Sequence, residues 1–147
     1  MSKKEAETLV DASNLILGRM ASAIAKRLLN GEAIVVLNAE KALVSGKKHS
    51  KIKEIKKFLE VGGVKYGPFH PRRPDRILRR TVRGMLPWDS ARGKGAYKRL
   101  KVYIGVPGQY KDKPVGTLQE ATARLRGGYT TLGELASEIG WKPVGES

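Results

Sequence analysis

The sequence predicts an α/β fold, and three stretches carry that prediction. AIVVLN (Ala33–Asn38) is a continuous β-branched apolar run, the signature of a strand buried on both faces. Just before it, Leu17, Ala21, Ile24 and Leu28 recur at i, i+4, i+7 and i+11, a helical stripe. Much later, LKVYIG (Leu100–Gly105) alternates and is rich in strand formers.

The first forty residues read strand, helix, strand. TLVDA (Thr8–Ala12) is a short apolar run and the expected first strand, and Asn14 to Leu17 adds a turn or a small extension. The helix begins at Gly18 and stops at Asn30-Gly31, where glycine suits a C-cap. Lys26 and Arg27 in its last turn complement the negative end of the helix dipole. A crossover of this length favours a right-handed parallel unit. Glu40 to Ser45 is read as a turn plus an edge strand. The unit lacks G-x-G-x-x-G after its first strand, and no glycine precedes Gly46-Lys47 at the Walker spacing, so no mononucleotide site is expected.

The 147 residues suit one domain, comprising an α/β core over 8–107 and a helical tail over 108–147. No cysteine is present, which removes disulfides, thiol catalysis and cysteine-ligated metal sites. MSKKEAETLV lacks the apolar run of a signal peptide, and no stretch approaches the roughly 18 apolar residues of a membrane span. A soluble cytoplasmic protein is expected. The placement of the charge says more than its size. Residues 41–101 hold nineteen Lys/Arg against four Asp/Glu, which accounts for the whole net charge of +15, and both flanks are neutral. Charge concentrated in the middle part of a chain is the footprint of nucleic-acid binding.

Within that stretch, KKHSKIKEIKKFLE reads as a basic amphipathic helix. Ile52, Ile55, Phe58 and Leu59 form its apolar stripe, and Lys53, Lys56 and Lys57 gather on another side, preceded by Lys47, Lys48 and His49. Gly62-Gly63 breaks it. Pro68, Pro71 and Pro74 then recur at the polyproline II period, predicting a stiff strap that presents Phe69, His70, Arg72 and Arg73. PDRILRRTVRGMLP (Pro74–Pro87) follows. On a helix, Ile77, Leu78, Thr81, Val82 and Met85 span roughly 140°, while Arg76, Arg79, Arg80 and Arg83 occupy the opposite roughly 100°. Four like charges repel by a few tenths of a kcal/mol per i,i+4 pair, a strain that a polyanion relieves; a solvated basic face is the alternative. Pro74 suits the first turn, Asp75 its positive end, and Gly84 with Pro87 the exit. Arg92, Lys94, Lys98 and Arg99 come next among small residues, with Gly93 and Gly95 offering close backbone approach to phosphates. Trp88 is either a packing anchor or a stacking platform.

The tail offers two T-x-x-E capping boxes, Thr117 with Glu120 and Thr131 with Glu134. They predict helices over LQEATARLR and LGELASEIG, the second presenting Leu132, Leu135, Ala136 and Ile139 to be closed over by Trp141. The tail's neutral balance points to packing or a protein contact. No catalytic constellation is legible. The two histidines have no carboxylate cluster beside them, Asp75 and Asp89 are the only aspartates in residues 41–101, and H-E-x-x-H and G-x-S-x-G are absent. No enzyme, cofactor, metal or small-molecule substrate is expected.

RRTVRGMLP (Arg79–Pro87), KRLKVYIGVP (Lys98–Pro107), LGRMASAIAKRLLNG (Leu17–Gly31) and LNAEKALVSG (Leu37–Gly46) resemble the family of universal large-subunit ribosomal protein thirteen. The resemblance runs from about Val10 to Pro107. The compact length and the ending LGELASEIGW favour its archaeal form. Trp88-Asp89 stands where bacterial members usually carry Lys-Asn, so no lysine contact is carried over there. The resemblance implies a three-layer α/β/α domain with a mainly parallel four-stranded sheet, and a non-catalytic role binding large-subunit ribosomal RNA and helping that subunit assemble beside neighbouring ribosomal proteins. It implies RNA contact at Arg79, Arg80, Arg83, Lys98, Arg99 and Lys101. To these the residue reading adds Lys47, Lys48, His49, Lys53, Lys56, Lys57, His70, Arg72, Arg73, Arg76, Arg92 and Lys94. A general double-stranded nucleic-acid-binding protein, or an RNA-processing enzyme, is the alternative function.

Overall fold

The structure is a computed structural model that describes residues 7–61, 67, 70–123 and 128–142. The parallel unit forms as expected from β1 (Glu7–Asp11), α1 (Leu17–Leu29) and β2 (Ala33–Leu37), with Leu9 opposite Val35 and Asp11 opposite Leu37. β4 (Leu100–Val102) adds to the other edge of β2, also parallel, with Ile34 opposite Leu100. The order β1-β2-β4 puts β2 in the centre, which is why its sequence is continuously apolar. Gly31 ends α1 at φ 98°, a left-handed conformation that glycine adopts without a Cβ penalty.

Among the described residues the sheet has three strands, not the four expected. At the free edge of β1 a single residue, Gly116, makes a parallel bridge to Val10. The edge strand expected over Glu40 to Ser45 does form, as β3 (Leu43–Ser45), but it pairs antiparallel with β5 (Tyr129–Thr131) in a separate ribbon. The cause is local. Asn38 adopts a left-handed conformation (φ 57°) and leads into a 3-10 turn at Ala39–Lys41, so the chain has left the sheet before β3 begins.

One face of the sheet is covered by α1, α3 (Pro74–Gly84) and α4 (Ala91–Lys98). There Val10, Ile34, Val36, Leu100 and Val102 pack with Met20, Ile24, Leu28, Leu78, Val82 and Ala96. The other face carries Leu9, Val35 and Leu37 beneath Tyr110 and Tyr103, and among the described residues no α-helix joins that cluster. The layers are therefore helices, sheet and an aromatic cap.

α2 (Lys48–Glu60) forms where its sequence predicts, but its apolar stripe is only partly covered. It contributes no buried residue: Ile52, Ile55 and Leu59 are half-buried, and Phe58 is 60% exposed. Its main neighbour is α5 (Leu132–Glu138), a short helix that cannot cover the whole stripe. The expected break at Gly62-Gly63 and the strap residues Pro68 and Phe69 lie outside the described residues.

Among the described residues of the tail, α5 is the one α-helix. Its capping box forms, with Thr131 Oγ1 accepting from Glu134 N at 3.2 Å, and Leu132, Leu135, Ala136 and Ile139 are buried. Trp141 is half-buried just past this helix, its main-chain N–H donating to Ala136 O at 2.9 Å. The first box does not form. Its described part holds only a 3-10 turn at Gln119–Ala121, with no side-chain cap. The backbone there is taken by another partner: Ile16 N donates to Ala121 O at 2.8 Å, and Ala123 N to Asn14 O at 2.9 Å. Among the described residues, no helix is long and apolar enough to cross a membrane.

Candidate nucleic-acid interface

α3 has the two faces its sequence predicts. Pro74 occupies its first turn, and Asp75 Oδ1 accepts from Arg76 N at 2.9 Å. Leu78 and Val82 are fully buried, each adding about 1.5–3 kcal/mol by removal from water, while Ile77 and Thr81 are half-buried. Met85, just past the helix, is 43% exposed, so the buried arc is narrower than expected. On the outer face, Arg76, Arg79, Arg80 and Arg83 line a cleft of about 490 Å³ together with His70, Pro71 and Tyr97.

Two of these arginines are held by aromatic rings. The Arg83 guanidinium lies 4.2 Å from the centre of the Trp88 ring, and that of Arg79 lies 4.7 Å from Tyr97. The two rings meet edge to face at 5.2 Å and 88°. Trp88 is therefore an anchor that supports an arginine. A guanidinium laid on a ring keeps its N–H groups in its own plane and free to donate sideways, which suits bidentate phosphate contact. Arg79 Nε is buried without a hydrogen-bond partner in the structure.

The structure sorts the other expected contact residues into three groups. Lys47, His49, Lys53, Lys56, Lys57, Lys94 and Lys98 are exposed. Lys47 and Lys48 begin α2, whose first turn has no acid, so like charge sits at the positive end of the dipole. Lys48 and Arg73 line a different groove, of about 1130 Å³, whose wall also carries Glu40, Glu134, Glu138 and Trp141. Arg73 Nε is 3.3 Å from Asp75 Oδ1.

Arg72, Arg92, Arg99 and Lys101 make up the last group, and each has an internal partner. Arg99 and Arg92 donate to Leu28 O at 2.6 Å and Leu29 O at 3.2 Å, the carbonyl end of α1. Arg72 donates to Ile139 O at 3.1 Å, the end of α5. Unsatisfied carbonyls and the negative end of the dipole attract guanidinium groups to such positions. Lys101 Nζ donates to Glu7 Oε1 at 3.0 Å, and Tyr110 OH donates to Glu7 Oε2 at 3.1 Å. The Lys101 hydrogen bond lowers the Glu7 carboxyl below its ordinary range, and burial together with Glu7 pushes the Tyr110 hydroxyl up to about 12.

Gly93 has a packing role. A Cβ there would stand 1.9 Å from Pro87 O, so α4 can lie on the preceding turn only with glycine at this position. Sequence reasoning missed Tyr97 as a guanidinium support. The available signal was slight: Tyr97 is one of nine aromatic residues in the chain and stands eighteen residues after Arg79.

Residues 5–109 match the family model described as Ribosomal protein L13. The chain is 49% identical over 138 residues to the large ribosomal subunit protein uL13 of Methanosarcina barkeri, covering 92% of this chain and 99% of that protein. It is 48% identical to the uL13 protein of Methanopyrus kandleri, covering 94% and 89%, and 46% identical to that of Archaeoglobus fulgidus, covering 93% and 90%.

Proposed function

The chain belongs to the ribosomal protein L13 family, and from that premise we propose how it works. It is a structural, non-enzymatic constituent of the large subunit of the cytoplasmic ribosome. It binds large-subunit ribosomal RNA through the arginine cleft of α3 and the exposed lysines of α2 and α4, and it supports subunit assembly. The whole of residues 1–147 acts as one unit, with the basic segment 41–101 carried on the α/β core. Neighbouring large-subunit ribosomal proteins meet the neutral tail side, where the groove beside α5 mixes acids and bases.

The observation that supports this reading best is the convergence of Arg76, Arg79, Arg80, Arg83 and His70 on one cleft. A-form RNA hides its base edges in a deep groove, so rigidly held cations read phosphate position and shape. Arg99, Arg92, Arg72 and Lys101 serve this surface indirectly by tying helix ends and the sheet edge in place, and their remaining donors stay available to phosphate.

The test is a binding titration of the full chain against large-subunit ribosomal RNA, with random RNA duplex as competitor. If six to ten phosphates are contacted, raising salt from about 50 to about 200 mM should weaken binding by about 10³–10⁵, taking duplex DNA as the guide. A flat salt response would sink the reading. Equal competition by random duplex would replace it with general nucleic-acid binding.

A further inference from the structure

We propose that Phe58 and His70 form a stacking platform for an unpaired RNA base at the rim of the arginine cleft. This rests on the RNA-binding reading above and adds to it a contact that phosphates cannot supply. The two rings meet with centroids 4.1 Å apart and planes inclined by 37°. Phe58 is 60% exposed, so much of its ring stays open beside the imidazole. His70 itself lines the cleft with Arg76, Arg79, Arg80 and Arg83, which makes the platform continuous with the cationic surface. Lys53, Lys56 and Lys57 of the same helix are exposed on another side of it and add to the positive field of the region.

That charge setting selects the occupant. A large apolar side chain in water invites a partner, and the surrounding cations repel a basic protein segment while attracting an anionic strand. A nucleobase offers a π face whatever its identity, so stacking needs no sequence match. Bases inside a duplex are already stacked, and the base that reaches Phe58 therefore comes from a loop, bulge or strand end.

Binding of the full chain to large-subunit ribosomal RNA, compared with binding to a perfectly paired RNA duplex at one salt concentration, tests this. Phe58→Ala should weaken binding to ribosomal RNA about 5- to 150-fold, the effect of losing one base stack, and leave duplex binding within about twofold of the parent. Phe58→Trp should bind like the parent, and Phe58→Leu, apolar but without a π face, should bind like Phe58→Ala. Parental affinity in Phe58→Leu, or equal weakening on the duplex, would overturn the platform. Parental affinity in Phe58→Ala alongside a weakened Arg83→Glu would overturn the platform and leave the cleft standing, whereas parental affinity in both would bring down both. Circular dichroism should show each Phe58 variant folded, because the residue contributes nothing to the core.

Discussion

Arg99 donates to the main-chain oxygen of Leu28 across 2.6 Å, so the residue that ends α4 also finishes α1. The half-buried guanidinium compensates carbonyl groups that the helix itself leaves open. Arg99→Ala should therefore lower stability by about 1.5–3 kcal/mol, as expected for a lost hydrogen bond to a charged group. Arg80→Ala, on the exposed face, should stay within about 0.5 kcal/mol of the parent. Urea midpoints of the two variants measure the difference, and equal midpoints would remove Arg99 from the scaffold.

The two faces of α3 should separate folding from binding. Val82 is fully buried against α1 and the sheet, so Val82→Asp places an unpaired carboxylate in the core and should unfold the domain. Arg83→Glu reverses a charge at the cleft and should leave the far-ultraviolet spectrum unchanged while weakening RNA binding at least tenfold. Two folded variants that bind like the parent would show the faces to be misassigned.

Glycines two residues apart in α4 should respond in opposite directions. Gly93→Ala drives a methyl group into the Pro87 carbonyl and should cost about 1–3 kcal/mol or more. At Gly95 the only near atom is the far end of Arg99, 3.8 Å away, so Gly95→Ala should stabilise the helix by up to about 1 kcal/mol. Thermal melts of both variants check the pair.

The Glu7–Lys101–Tyr110 cluster should shape stability at both ends of the pH scale. The Glu7 pKa is lowered by folding, so its contribution is present above the unfolded value of 4.5 and is lost as pH falls through the folded one. The Tyr110 pKa is raised to about 12, so the unfolded chain ionises first and stability declines as pH rises from 10 towards 12. Glu7→Gln should flatten the acid limb and Tyr110→Phe the alkaline limb of a plot of urea midpoint against pH. Unchanged limbs in both variants would mean the cluster is not energetically coupled.

What was legible in the sequence was local. Apolar period located β1, α1, β2, α3 and β4, and the Thr131 box located α5, because in each the pattern and the burial agree. The failures were matters of partner choice. Nothing in LVS says that it pairs with Tyr129–Thr131 across more than eighty residues, and nothing in Thr117-x-x-Glu120 says that Asn14 and Ile16 claim the nearby backbone. The cationic cleft was legible from the spacing of four arginines. Which arginines turn inward was not, because Arg72, Arg92 and Arg99 are directed by helix ends distant in sequence. The lysine helix was legible too, with its lysines exposed, but its apolar stripe is only partly covered because the facing surface is small.

The β3–β5 ribbon has a bearing on biosynthesis. Its first half stands near the start of the cationic stretch and its second half after the end, and that later half is the next-to-last described element to leave the ribosome. A growing polypeptide thus releases all its excess positive charge before the clasp can shut. Until then α2, whose main neighbour is α5, stands without that support, its lysines open to any passing transcript. Chains halted ahead of Tyr129 should accordingly be more readily digested by protease and less selective among RNAs than the finished molecule.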